Sequence, residues 1–366
     1  LLLQVVWIAY LIPHSVETVR SVKYLLLKFW YMVPTLGLAA MLLRDWASYR
    51  RLFWVLWAGG MLLTLFVVGK HAMSGFGFGA VSTVANPFTN HVIYTVLLAM
   101  LLPLGWHMRG QYPPGHPLRR VLTLSLGLLV FAIITAFTRA TWLAVIVMVA
   151  WYFVVKWRLT LPLILAGLLL AAGGVLWLMS DNTYMDFAPE FKKTIYHRGD
   201  LGGHLGASVE GTDASSMERV YRWVAAKNMV AERPWLGFGP FTFYPTYQHY
   251  TEYEFYTYLS PNPERSTTHN YFLMVLVEQG AIGLVLMVAV VLYSLMLAER
   301  LAHSLPTHRL RMLAMAVAIA LVGFYFHLIM NDLVETLKNG VYYFLLLALL
   351  LRLAEANKKG RFDEPH

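Results

Sequence analysis

The chain of 366 residues contains no cysteine, and only 13% of its residues are charged. The first absence excludes disulfides, thiolate metal sites and a cysteine nucleophile. The second, together with 58% hydrophobic residues, excludes an ordinary soluble domain, in which roughly 25% of residues are charged and roughly 45–50% are apolar. The composition predicts a polytopic membrane protein.

Signatures of nucleotide and metal chemistry are missing as well. The sequence has no Walker A motif, no glycine-rich dinucleotide turn and no HExxH pair. It also has no Asp-x-Asp pair for a cation that would hold a nucleotide sugar. We therefore expect no metal and no cofactor, and neither an ATP-driven pump nor a cytoplasmic nucleotide-sugar enzyme. The formal net charge of +9 follows largely from the cytoplasmic loops of a membrane protein, so it does not indicate a nucleic-acid partner.

Ten apolar runs predict an all-α fold with about ten transmembrane helices, each of which needs about 20 mostly apolar residues. Because the chain opens inside such a run at Leu1, we expect N-terminal residues, and with them whole helices, to be missing. The predicted spans are 1–13, 22–43, 52–69, 91–108, 121–137, 140–157, 160–180, 269–298, 309–331 and 340–353.

Lys and Arg are distributed unequally between the two alternating sets of connections. Fifteen lie in one set and five in the short connections of the other. Loops rich in positive charge stay in the cytoplasm. The bias predicts that the long polar segment 181–268 lies outside, in a periplasm or its equivalent.

The segment 181–268 has 88 residues, too many for a bare connection. Glycines are frequent from Gly199 to Gly211, and a helix is predicted over 218–232, with a serine start signal and a stop at Pro234. Four parts follow. They are N-terminal transmembrane helices (1–180), a large periplasmic loop containing helices (181–268), C-terminal transmembrane helices (269–353) and a cytoplasmic tail (354–366).

His269 stands where this loop meets the next apolar run. A histidine with a pKa near ~6.5 can take a proton from an acceptor hydroxyl at neutral pH. It can equally be an interfacial residue that hydrogen-bonds the loop. Asn270 beside it adds to a polar helix start and is a candidate for support.

Three arginines are candidates for binding a phosphate. Arg139 lies between two apolar runs, where a charge is costly unless it is paired or hydrated; it either binds an anion bidentately or snorkels at a helix end. Arg219 and Arg222 are three apart on the predicted loop helix and share a face, which is either part of a phosphate clamp or a solvated surface.

An aromatic run extends from Trp235 to Tyr258, in which eleven of twenty-four residues are aromatic. Such rings offer flat faces to sugars, or they form an interfacial belt on the bilayer. The candidate sugar contacts are Trp235, Tyr244 and Tyr247.

Taken together, these motifs resemble the O-antigen ligase and polymerase superfamily of bacterial membrane glycosyltransferases, most clearly from about Asn86 to Ala298. The residues that carry the resemblance are Thr138–Trp142 around Arg139, Glu218-Arg219 with Trp223, Glu232–Pro240, and His269-Asn270 followed by Gly280 and Gly283. The last pattern is similar to the His-[Asn/Ser/Gln] motif of the ligase branch.

The resemblance implies a metal-independent, inverting transfer of a glycan from undecaprenyl pyrophosphate, at the outer leaflet of the inner membrane. Arg139 and Arg219 would bind the donor pyrophosphate, and His269 would be the base on the acceptor hydroxyl; for Arg222 the resemblance implies no clear role. The acceptor would be lipid A-core or an analogous glycan. A polymerase, a transferase to protein hydroxyls and, in another class, a flippase or transporter of lipid-linked glycans remain alternatives.

Overall fold

The computed structural model describes residues 1–81, 85, 88, 90–187, 214–256, 260 and 267–359. Their regular structure is helical, without an extended strand, which confirms the predicted all-α class. The longer helices are Leu2–Leu11 (α1), Thr18–Leu42 (α2), Trp46–Met73 (α3), His91–Arg109 (α4), Pro117–Thr135 (α5), Arg139–Lys156 (α6), Thr160–Met179 (α7), Ala214–Glu232 (α8), Tyr271–Ser304 (α9), His308–Leu328 (α10) and Leu337–Lys359 (α11).

Nine helices in the described part of the chain are long and apolar enough to cross a membrane, namely α2 to α7 and α9 to α11. The remaining predicted span, 1–13, corresponds to a shorter apolar helix, Leu2–His14. The prediction of a polytopic membrane protein is therefore confirmed. Helix α8 is amphipathic rather than apolar; it begins at Ala214, before the predicted residue 218, and ends at Glu232 as predicted, two residues before Pro234.

The chain forms two compact units. The first consists of Leu1–Lys28, Leu161–Val290 and Leu328–Asp332, and the second of Phe29–Thr160, Val291–His327 and Leu333–His366. The four-part division expected from the sequence stays a prediction. The glycines between 199 and 211, Tyr258 and the tail beyond 359 lie outside the described residues.

A hydrophobic core within the first unit gathers one face of α8 and much of the aromatic run. Tyr221, Ala225 and Met229 of α8 pack with a set of buried aromatic rings. These rings are Phe238, Phe243, Tyr247 and Phe255. The run therefore supplies the packed interior of the loop, a role that the sequence analysis did not consider.

Candidate functional site

His269 occupies a left-handed backbone conformation (φ 52°) immediately before α9. Histidine is among the few non-glycine residues that adopt this region with any frequency, and such outliers collect at functional sites. The Oδ1 of Asn270 accepts a hydrogen bond from the N–H of Leu273 over 3.0 Å, so Asn270 caps the helix. The cap fixes the direction in which the chain enters α9 and so fixes the turn at His269.

Helix α8 holds the segment before His269 through two side chains. The Nη1 of Arg222 donates to the carbonyl of Thr267 over 3.3 Å, and the Nε1 of Trp223 donates to the carbonyl of Thr268 over 2.8 Å. Arg222 is 1% exposed and also pairs with Glu218 at 3.6 Å. This burial makes Arg222 a support of the turn rather than a surface for a ligand.

The electrostatic environment of His269 is cationic. Burial of the imidazole, followed by the charges of Arg219 and Arg222, lowers the pKa of His269 to about 3. The sequence suggested a value near ~6.5, because it could not show that two guanidiniums lie near the ring. The imidazole is therefore neutral at pH 7, and Arg219, Arg222, His269 and Asn270 lie together in the first unit.

Gly280 interrupts α9 with φ 68° and ψ −175°. A side chain there would collide with the carbonyl of Trp235. At this break the N–H of Phe238 donates to the carbonyl of Val277 over 3.0 Å, and the N–H of Ala281 donates to the carbonyl of Pro234 over 2.8 Å. Gly280, which follows His269-Asn270 in one motif, is thus explained by its contact with a second motif, the loop segment 232–240.

Two further charged residues are buried in the first unit, and the sequence motifs do not include them as site residues. Glu278 is buried, and its carboxylate accepts hydrogen bonds from the N–H groups of Phe241 (2.8 Å) and Phe243 (2.9 Å). Lys28 of α2 is buried and donates to the hydroxyl of Tyr271 over 3.4 Å. Both lie on apolar helices of the first unit, and a charge within an apolar run was the available signal.

Arg139 lies in the second unit, as the first residue of α6 after the cap position Thr138. A cation is unfavourable at the positive end of a helix, whereas an anion bound there gains from both the arginine and the helix dipole. Behind it, a buried chain of hydrogen bonds joins three helices. Thr141 bonds to Thr95 of α4 over 2.9 Å and to His327 of α10 over 3.0 Å. Convergence of Arg139 with the residues of the first unit stays a prediction.

The three candidate sugar contacts differ in exposure. The ring of Trp235 is 67% exposed, and Tyr244 is partly buried. Tyr247 is 0% exposed and stacks on Phe243 in the loop core, with ring centroids 5.0 Å apart. Only Trp235 therefore offers an open ring face to a ligand.

Among the described residues, no group of three or more His, Cys, Asp or Glu side chains is placed to hold a metal ion.

Comparison with known proteins agrees with the motifs. No curated protein matches the chain. The family described as O-antigen ligase matches residues 124–288, a segment that contains Arg139, Arg219 and His269. This match, over somewhat less than half of the chain, supports a likeness to the O-antigen ligase superfamily.

Proposed function

We propose that this chain transfers a glycan from undecaprenyl pyrophosphate to a hydroxyl of lipid A-core, or of an analogous acceptor, on the periplasmic face of a bacterial inner membrane. The observation that carries the proposal is the environment of His269: a neutral imidazole at the mouth of an apolar helix, in the field of Arg219 and Arg222. The match to the O-antigen ligase family over residues 124–288 supports a membrane glycosyltransferase of the O-antigen ligase or polymerase type.

In the proposed reaction the acceptor oxygen attacks the anomeric carbon opposite the phosphate, so that the configuration inverts. His269 takes the proton of the acceptor hydroxyl. The bond between the anomeric carbon and the pyrophosphate oxygen breaks, and the electron pair leaves with undecaprenyl pyrophosphate. The guanidiniums of Arg139 and Arg219 stabilise that charge in place of a metal ion.

The cationic environment gives the donor a second role. A nearby negative charge raises the pKa of a histidine, because it stabilises the imidazolium. Burial is the largest cause of the low pKa of His269, and the charges of Arg219 and Arg222 add to it. A bound pyrophosphate would offset these two charges and raise the pKa of His269, so His269 would be a stronger base with the donor bound than without it.

Trp235 is the best placed of the aromatic candidates to contact the sugar. Its ring is exposed while its backbone is fixed against Gly280, and a fixed, exposed aromatic face can stack on a sugar ring. Tyr244 would contribute from the edge of the loop core.

The test is a transfer assay with the purified full chain, an undecaprenyl-pyrophosphate glycan and lipid A-core, with products separated by mass on a gel. A single glycan added to lipid A-core, insensitive to a chelator, supports the proposal. Longer glycans still attached to undecaprenyl pyrophosphate would make the protein a polymerase. No product in either form, with the donor moved across vesicle membranes, would favour a transporter.

A further inference from the structure

A cavity of about 590 Å³ lies among α4, α6 and α10 within the second unit. This volume falls in the range of roughly 300–1,000 Å³ typical of small-molecule sites. The residues that define it are mostly apolar and include Leu102, Trp106, His107, Val149, Phe153 and Met315. Trp106, Val149 and Phe153 are exposed, so the cavity opens onto the surface formed by these apolar helices.

The cavity is separate from the residues assigned to glycosyl transfer. On α6, Val149 lies ten residues after Arg139, about 15 Å along a helix that rises 1.5 Å per residue. The cavity is close to Arg109 and to His308, which end α4 and begin α10. This end of the helices carries the excess of Lys and Arg and is the predicted cytoplasmic side.

His107 gives the cavity an unsatisfied polar group. Its side chain is 5% exposed, and neither ring nitrogen has a hydrogen-bond partner among the described residues. A buried polar group without a partner is costly. Because His107 lines the cavity, an occupant that accepts or donates a hydrogen bond there would remove that cost.

Two arginines stack on aromatic rings near this end of the cavity: Trp106, which lines it, and Trp46, which contacts the lining residue His107. The guanidinium of Arg109 is 5.1 Å from the ring centroid of Trp106, held by a hydrogen bond from its Nε to Thr123 (2.7 Å). The guanidinium of Arg309 is 4.9 Å from the ring centroid of Trp46, which packs edge-on against His107. An apolar cavity with two arginines at its membrane-surface end matches a molecule with a hydrocarbon chain and an anionic head.

We propose that this cavity binds an anionic phospholipid of the cytoplasmic leaflet. One acyl chain occupies the apolar part, the phosphate lies between Arg109 and Arg309, and a ring N–H of His107 donates to an ester carbonyl of the lipid. Arginine suits the phosphate because its planar guanidinium can bind two oxygens at once.

The test is native mass spectrometry of the purified full chain after incubation with phosphatidylglycerol, phosphatidylcholine or a polyprenyl phosphate. We expect one phosphatidylglycerol retained, at least about tenfold more tightly than phosphatidylcholine, since each cation near the headgroup favours an anionic lipid. The double variant R109Q/R309Q should lose the preference. Arg120→Gln, an exposed cation on the same side of the membrane, should keep it.

A second pair of variants tests the cavity itself. Ala316→Phe places a ring in the cavity and should abolish retention of both lipids, while His107→Phe keeps the ring packing and should weaken retention of phosphatidylglycerol. Thermal unfolding checks that each variant is folded. Equal retention of both lipids by the native protein, unchanged retention in folded R109Q/R309Q, or preferential retention of a polyprenyl phosphate would overturn the proposal.

Discussion

Arg222 and Thr267 are joined by a hydrogen bond of 3.3 Å from the guanidinium of the first to the carbonyl of the second, two residues before His269. The bond ties the loop helix α8 to the start of the membrane helix α9. Sequence spacing put Arg222 on the same helical face as Arg219, but burial separates their roles. Arg222 supports the turn, whereas Arg219 is the more accessible cation.

Replacing Arg222 with Gln should destabilise the protein and slow transfer, because Glu218 loses its partner and the turn before His269 loses its tie. Loss of a hydrogen bond from a charged group typically costs about 1.5–3 kcal/mol, and the pair with Glu218 adds less, because that carboxylate is 29% exposed and screened by solvent. Thermal unfolding and the transfer assay measure both effects. Glu254→Gln, at an exposed position in the same loop, is the control and should change neither; an unaltered unfolding temperature in Arg222→Gln would contradict the assigned role.

Gly280→Ala should impair folding more than any ordinary glycine substitution in a span. The positive φ disfavours a side chain, and the new Cβ would collide with the carbonyl of Trp235. Gly127→Ala in α5 meets no atom within 4 Å and should be neutral or stabilising by up to about 1 kcal/mol. The measurement is the yield and the unfolding temperature of both variants. Equal values for the two variants would mean that folding does not require the helix break at Gly280.

Asn270 should be replaceable by Asp but not by Ala. Both Asn and Asp can accept the hydrogen bond from the N–H of Leu273, and loss of such a cap costs about 1 kcal/mol. We expect Asn270→Ala to slow transfer because the turn at His269 loosens, and Asn270→Asp to retain the helix start. Transfer rates for the pair provide the measurement; equal rates would show that the cap does not position His269.

The depressed pKa of His269 predicts a dependence of stability on pH. Its pKa is about 3 in the folded protein and near ~6.5 when unfolded, so the unfolded chain binds more protons between these values. The free energy of unfolding should therefore rise with pH across this window and fall on acidification. On acidification from pH 7 to pH 4, the unfolding temperature should fall less steeply in His269→Gln than in the native protein. Equal slopes of unfolding temperature against pH in the two proteins would show that protonation of His269 does not cause this pH dependence.

Much of the fold follows from hydropathy, because a membrane-spanning helix needs a long apolar run and little else. Hydropathy predicts the spans and the polar start of α9. Pro234 predicts the end of α8. The break at Gly280 was not predictable, since a glycine inside an apolar run gives no sign of the backbone that packs against it. Nor did the sequence show that Phe243 and Tyr247 form a core, because aromatic residues suit interiors, membrane surfaces and sugar sites alike.

The site residues stay predictions, and the sequence does not predict the division of roles among them that the contacts indicate. His269, Arg219 and Arg222 could be named from motifs and helical spacing. That Arg222 is buried beneath the turn, and that Glu278 receives the N–H groups of Phe241 and Phe243, depends on contacts between segments far apart in sequence. Helical periodicity carries no information on such contacts.

The most direct test of the account measures donor affinity and single-turnover transfer separately in His269→Ala and Arg219→Gln of the full chain. If His269 is the base, His269→Ala should lower the transfer rate by a factor of about 100 or more and leave donor affinity almost unchanged. Arg219→Gln should weaken donor binding about tenfold or more, since it removes a charged hydrogen-bond donor to phosphate. If His269→Ala instead lost donor binding and turned over bound donor at the normal rate, His269 would be a ligand contact and the proposed base would be wrong.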